Sequence, residues 1–322
     1  MPSTPSPSLP TVPASSPPPA DVRRETRRWS FCNRSGDGRD GGQPADSHDG
    51  GPARQRCGRP AGRRPSHDRG APLQHRSGLP DYTASKALAR RLQRSPHRTI
   101  PPRQLLRYVW HQPLQFVPGS RYKYDNSDNV VIAMMARAAT GRSYQALLRT
   151  LVYRPAGIRQ TSLPAGFRLQ RPYLHGYALE AGHRVQDVSE ALTASAAWAA
   201  GGMVSTPSDT SRFIRAYLAD RFFSRQTQAA QLRFVAGSSE PPGPGTNAAG
   251  LAIFRYCTRC GTVYGHTGNF PGYTQLGAAS RRGANSVTVT ATEQLSLRVH
   301  PRVLAVLRHA ELLAVCAAMA PR

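Results

Sequence analysis

The sequence contains almost no lysine: of its 43 basic residues, only Lys86 and Lys123 are lysines and the rest are arginines. The chain also has no run of 18 apolar residues, which argues against a membrane-spanning helix. No apolar stretch follows the arginine cluster at residues 23–28, so we expect no secretory signal peptide. The sequence therefore leaves the location of the protein open.

The first 70 residues are poor in apolar side chains and rich in proline, arginine and glycine. Their large apolar residues are Met1, Leu9, Val12, Val22, Trp29 and Phe31. Such a segment cannot bury enough apolar surface to offset the entropy lost on ordering. We predict that residues 1–70 are disordered and that residues 71–322 form the folded body.

The five cysteines are an odd and scattered set. Cys257 and Cys260 form a CxxC pair, which supplies two of the four ligands of a structural zinc site. No second CxxC or HxxxH supplies the others, so we predict no metal site. A structural role or a local disulfide fits the pair better.

The formal net charge of +25 raises the question of nucleic-acid binding. Residues 1–70 hold 12 arginines against 7 acids, and the remainder holds 31 bases against 11 acids. In the body these arginines are scattered, and few alternate with aromatic residues as a stacking platform requires. We predict no specific nucleic-acid partner, only salt-sensitive attraction to polyanions.

The body alternates between helical and strand-like patterns. Helical spacing predicts helices over residues 102–111 and from residue 126 to Gly141, and Thr206-Pro207 reads as a helix N-cap followed by proline. Alternation predicts strands over 251–256, 262–266, 273–278 and 287–292, before a helix over 301–318. We therefore predict an α/β (α+β) fold, an antiparallel sheet flanked by helices, with a helical lobe.

Two short motifs stand far apart in the body. Tyr124-Asp125-Asn126 precedes a helix, and His266-Thr267-Gly268 lies on a predicted strand before Asn269-Phe270-Pro271-Gly272. Three further stretches accompany them: residues 75–82 (HRSGLPDY), 154–158 (RPAGI) and 201–206 (GGMVST). In this order they resemble the serine β-lactamase and D-alanyl-D-alanine carboxypeptidase family, penicillin-binding proteins included. The resemblance covers residues 71–322 and implies a β-lactamase/transpeptidase-like fold that is incomplete at its N-terminus.

The resemblance also implies roles for the motif residues. Tyr124 would relay a proton and Asn126 would hold the substrate amide, as the catalytic pair that remains. His266, Thr267 and Gly268 would line the opposite wall, where the first two bind the substrate carboxylate. Asn269 would offer its N–H to the oxyanion. With a usual pKa near 6.5, His266 is expected to be partly cationic at neutral pH.

The Ser-x-x-Lys motif, which carries the nucleophile in this family, is not found. Ser120-Arg121-Tyr122-Lys123 fits literally but directly adjoins Tyr124, and Thr83-Ala84-Ser85-Lys86 follows the 75–82 stretch. Both lie far from the upstream helix that the family uses. We hypothesise that residues 1–70 are not family sequence and come from a frame shift or a wrong start. True loss of the nucleophile is the alternative.

These inferences converge on a serine hydrolase that forms an acyl-enzyme and needs no cofactor. Its substrates would be D-Ala-D-Ala peptides, β-lactams or small esters. Loss of the serine costs on the order of a million-fold in turnover, so we expect this chain to be impaired or inactive. The alternatives are a non-catalytic relative that binds peptidoglycan-like ligands and, less favoured, a basic nucleic-acid-associated protein. Family members mostly work outside the cytoplasm.

Overall fold

The computed structural model describes residues 72–179 and 184–320, together with the backbone of Leu9–Pro10. The prediction that residues 1–70 are disordered and foreign to the family therefore falls outside the described residues, apart from that dipeptide. Leu9–Pro10 forms a two-residue strand, β1, which pairs antiparallel with β4 at Val204–Ser205.

The described chain contains eight α-helices and ten strands. The helices are α1 Lys86–Arg94, α2 Pro102–Arg107, α3 Asn126–Thr140, α4 Tyr144–Leu148, α5 Arg154–Ala156, α6 Pro207–Leu218, α7 Arg225–Gln231 and α8 Pro301–Met319. The strands after β1 are β2 Tyr177–Ala178, β3 Gln186–Asp187, β4 Val204–Ser205, β5 Val235–Ala236, β6 Thr246–Ala249, β7 Phe254–Thr258, β8 Gly261–Phe270, β9 Tyr273–Ser280 and β10 Ser286–Ala291. None of these helices combines the length and apolarity that a bilayer span needs.

Six strands form one antiparallel sheet in the order β10-β9-β8-β7-β6-β5. Each strand pairs with its neighbour in sequence, so the sheet is a meander of hairpins, as the short connections predict. Gly261 and Gly272 have positive φ angles in the turns at the two ends of β8, a conformation that glycine adopts without steric cost. Strands β5 and β6 escape sequence prediction because Val235–Ala236 and Thr246–Ala249 are short and do not alternate.

Helices cover both faces of this sheet. On one face α8 contributes Val315 to a core with Phe254, Tyr256 and Leu276. On the other face α6 packs against β9 and β10. Its residues Phe213, Ile214 and Tyr217 share a core with the helical lobe, represented by Leu88, Leu105, Val130, Leu148 and Trp198. The predicted α+β architecture is confirmed.

Several predicted boundaries are confirmed and others change: the strand predicted over 251–256 is β7 at Phe254–Thr258, and the strand predicted over 262–266 is β8 at Gly261–Phe270. Helix α3 ends at Thr140, followed by Gly141 in the left-handed conformation, and Thr206 caps α6 through the Asp209 N–H. The helix predicted over residues 102–111 ends at Arg107 instead. There the N–H of Tyr108 bonds the carbonyl of Leu105, three residues back, and this tighter turn ends the α-helix.

The CxxC pair does not form a local disulfide, so that alternative was wrong. Cys260 is bonded to Cys316 of α8, while Cys257 is an exposed free thiol. The reason is that the two cysteines sit on the β7–β8 hairpin, where Cys257 pairs with Thr262 across the strands and Cys260 lies in the turn. The disulfide closes 56 residues and anchors the end of α8 to the hairpin.

In the described residues, β10 pairs on one side only and ends the sheet. Apolar side chains of α8 are also exposed nearby, with Val306 at 70% and Val303 at 48% exposure. An open edge strand beside exposed apolar surface favours pairing with another chain.

Replacing Cys316 by serine should lower the free energy of unfolding by roughly 4 kcal/mol, because a disulfide that closes a loop of this length restricts the unfolded chain. Urea denaturation followed by circular dichroism measures the change. Cys257→Ser is the matched control and should stay within about 0.5 kcal/mol of the parent. Equal stability of the two variants would contradict the structural role of Cys260–Cys316.

Candidate active site

His266 lies on the central strand β8, where it pairs with Gly277 of β9, one residue beyond the end of the β7–β8 ladder at Gly265. Its ring packs edge-on against Phe254, with the centroids 4.9 Å apart, and faces Tyr124 at 6.1 Å. The Nδ1–H of His266 donates to the carbonyl of Thr267. The imidazole is therefore held at the sheet surface by aromatic packing and one hydrogen bond.

Tyr124 approaches the His266 ring from the side opposite the sheet. It lies just before α3, where its ring stands 4.2 Å from that of His75 and 6.4 Å from that of Phe254. The sequence predicts that the two motifs, 142 residues apart in the chain, face each other across one groove. The structure does bring Tyr124 and His266 together.

Local bonds at the start of α3 fix the position of Tyr124. Asp125 caps the helix by accepting from the N–H of Asp128 at 2.9 Å. Asp81 accepts from the backbone N–H of Asn126 at 3.1 Å and from its side-chain amide at 2.9 Å. The 75–82 stretch therefore acts as a support for the Tyr124-Asp125-Asn126 turn.

The other residues predicted for the site are engaged elsewhere. The Asn126 amide bonds Asp81 and lies 3.4 Å from the Thr83 hydroxyl. Thr267 is buried, and its hydroxyl donates to the carbonyl of Pro241. The side-chain NH2 group of Asn126 and the hydroxyl proton of Thr267 are therefore both used by protein acceptors.

Gly268 and Asn269 continue β8 beyond the histidine. Gly268 is buried in the strand, whereas the Asn269 amide donates to the carbonyl of Leu295 at 3.1 Å and its oxygen accepts from Gln294. The Asn269 side chain therefore ties β8 to the segment after β10. The backbone N–H of Asn269 is the predicted oxyanion donor, and that role remains a prediction.

Burial sets the protonation of both facing groups. It lowers the pKa of His266 to about 4, because a charged imidazole is costly among aromatic rings. Burial, with the nearby Asp81 and Asp125 carboxylates, raises the pKa of Tyr124 above its ordinary value. At neutral pH the wall is therefore an uncharged imidazole facing an uncharged phenol, and the expectation of a partly cationic His266 was wrong.

The two literal nucleophile–lysine pairs have other roles. Ser120 lies in a turn, and the Lys123 amine donates to the side chain of Gln115. The Thr83 hydroxyl donates to Asp81 at 2.8 Å, and Lys86 starts α1 one turn later. Neither pair places its hydroxyl and amine on the same face of one helix.

Sequence reasoning missed two residues that enclose the site. Phe254 begins β7 and packs on His266 and Tyr124, but one aromatic residue in an alternating strand carries no functional signal. His75 belongs to the 75–82 stretch and stacks on Tyr124. The sequence does not show that His75 lies against Tyr124; the contact between the two rings in the structure does.

Known proteins share the sequence pattern and the fold of this chain. The sequence model described as "Beta-lactamase" matches residues 73–310. The chain belongs to the β-lactamase family. This assignment agrees with the resemblance that the two motifs carry, and members of the family are serine hydrolases.

The proteins that this chain resembles have different named activities. It is 29% identical to a D-stereospecific amidohydrolase of a Streptomyces species, whose structure aligns with a TM-score of 0.63 over 70% of this chain and 67% of the other. It is 22% identical to a D-amino acid amidase of Ochrobactrum anthropi, with a TM-score of 0.64 over 76% of this chain and 70% of the other; this second match concerns the fold alone. It is 23% identical to penicillin-binding protein 4* of Bacillus subtilis over 63% of this chain.

The match to penicillin-binding protein 4* covers 46% of that protein's length. The chain thus spans about half of the curated relative that it matches. Family membership therefore gives the fold and the class of chemistry, while the activity and the substrate of this chain are proposals.

Long-range proton–nitrogen NMR of the imidazoles should find His266 neutral at pH 7, with the proton on Nδ1 that bonds Thr267. Its protonation midpoint should lie near pH 4, because burial disfavours the charged ring. Phe254→Leu removes the ring packed against His266 and should move the midpoint upward. A midpoint near 6.5 in the parent protein would contradict the enclosed site.

Proposed function

We propose that this chain binds uncharged amides of D-amino acids in a groove beside the Tyr124 and His266 rings, and that it forms little or no acyl-enzyme. The carrying observation is the contact of these two rings, whose centroids lie 6.1 Å apart, one on β8 and the other just before α3. The Streptomyces relative, a D-stereospecific amidohydrolase, supports an amide ligand of D configuration.

The neutral state of His266 favours an amide over a carboxylate ligand. Nδ1–H is used by the Thr267 carbonyl, so the neutral ring offers Nε2 as an acceptor. An acceptor can take an amide N–H of the ligand but repels a carboxylate. This departs from the carboxylate-binding role that the family resemblance implies for this position.

The lack of turnover follows from the missing nucleophile–base pair. Acyl transfer needs a serine whose proton an adjacent amine removes, and both lysines of the chain are far from such an arrangement. Lys123 bonds Gln115, and Thr83 of the second pair is held by Asp81. A ligand-binding relative of a serine hydrolase accounts for a retained groove without this pair.

Binding is tested by calorimetry with N-acetyl-D-alaninamide and N-acetyl-D-alanine, which differ only in the charge of the terminal group. At pH 7.5 the amide should bind at least about tenfold more tightly, the effect of one well-placed hydrogen bond of roughly 1.4 kcal/mol. His266→Ala should remove this preference. His175→Ala, on the exposed pair with Asp187, is the control and should retain it.

Catalysis is tested separately with a fluorescent penicillin. Little or no label should survive denaturation of the protein, because no acyl-serine forms. Stoichiometric covalent labelling would overturn the inactive state but not the groove, and Ser120→Ala and Thr83→Val would then identify the attacking residue. Equal binding of the two acetylated probes would overturn the proposed ligand class.

A further inference from the structure

A second cluster of polar side chains lies behind Tyr124 and outside the groove. His75, Asp125 and Asp128 are buried, with 3%, 3% and 0% exposure. One ligand atom from each lies within 4.8 Å of the other two. We propose that this cluster is a binding site for a divalent first-row transition metal, with Zn²⁺ as its representative.

Asp128 carries a buried carboxylate that a bound cation would stabilise. Neither of its carboxylate oxygens has a hydrogen-bond partner of acceptable geometry, although the Ser77 hydroxyl and the Asp125 carboxyl group lie close by. A buried carboxylate without a partner costs several kcal/mol. In the described part of the chain, no arginine or lysine lies within ion-pair distance of Asp125 or Asp128.

Nδ1 of His75 carries no proton, because it accepts the backbone N–H of Asp125 at 3.4 Å. A metal bound at this nitrogen would replace that long hydrogen bond. Nδ1 lies 3.8 Å from the Asp128 Oδ2, too far for a hydrogen bond. Two ligand atoms around a tetrahedral zinc are about 3.4 Å apart, so a small contraction would close the site.

The donor set selects the kind of metal. Neutral imidazole suits zinc and its first-row neighbours, whereas calcium and magnesium prefer oxygen ligands alone. A histidine binds such a metal as the neutral imidazole. Two carboxylates with a divalent cation make a neutral buried unit, and this removes the repulsion between Asp125 and Asp128.

A metal at this site would affect the groove indirectly, by fixing the residues next to Tyr124. His75 stacks on Tyr124 at 4.2 Å, and Asp125 and Asp128 lie on the first turn of α3 beside it. A metal bound to all three would lock the 75–82 stretch to the helix. We therefore assign it a structural role behind Tyr124, independent of which ligand the groove binds.

The test uses the full chain, stripped with a chelator, incubated with ZnCl₂ and dialysed. Mass spectrometry of the metal content should find about one zinc per chain, and calcium or magnesium should not replace it. Asp128→Asn keeps the shape of the side chain and should weaken zinc binding at least about 100-fold, since even the loss of an outer-shell partner costs 10- to 100-fold. Asp187→Asn disrupts an exposed His–Asp pair and should bind zinc like the parent.

Two results would overturn the proposal: a parent protein that retains no zinc, or an Asp128→Asn variant that retains as much as the parent. If Asp128→Asn fails to fold, zinc-edge X-ray absorption of the parent protein decides instead. We expect nitrogen and oxygen ligands only. A sulfur at about 2.3 Å would place the metal at a cysteine outside this cluster, such as the exposed Cys257, and would also overturn the proposal.

Discussion

The fixed position of β8 is the constraint on which the site depends. This strand pairs along its length with β9 and, over its first half, with β7, so it cannot shift without breaking two ladders. Gly265 sharpens the constraint, because a Cβ there would lie 2.0 Å from the Gly277 carbonyl of the next strand. His266 is therefore presented by a rigid wall.

The opposite wall depends on polar bonds rather than on a ladder. Asp81 and Asp125 hold the start of α3 through the N–H groups of Asn126 and Asp128, and Tyr124 follows from them. Because these acceptors are on short side chains, the turn is well defined, but ionisation of Asp125 and Asp128, which are buried beside each other, would leave uncompensated negative charge. A metal at His75, Asp125 and Asp128 would compensate that charge, which links the stability of the turn to the order of the groove.

Burial decides what the groove can recognise. The same histidine on an open strand would be partly charged at neutral pH, yet Phe254 and Tyr124 enclose the ring and keep it neutral. In the proposed binding mode, recognition at His266 therefore relies on hydrogen bonding rather than on charge attraction. The His-Thr-Gly motif alone does not predict the lowered pKa of His266, because side chains outside that motif cause it.

The sequence by itself determined the meander of β7 to β10, the helices α3, α6 and α8, and the meeting of Tyr124 with His266. These follow from local periodicity, from caps such as Thr206 and Gly141, and from motif order, all of which are encoded within short stretches. Only the tertiary structure decided that Cys260 pairs with Cys316, that Thr267 and Asn126 are engaged elsewhere, and that Asp128 is buried without a partner. These depend on contacts between segments distant in the chain, where burial and neighbouring groups, not the residue type, set the outcome.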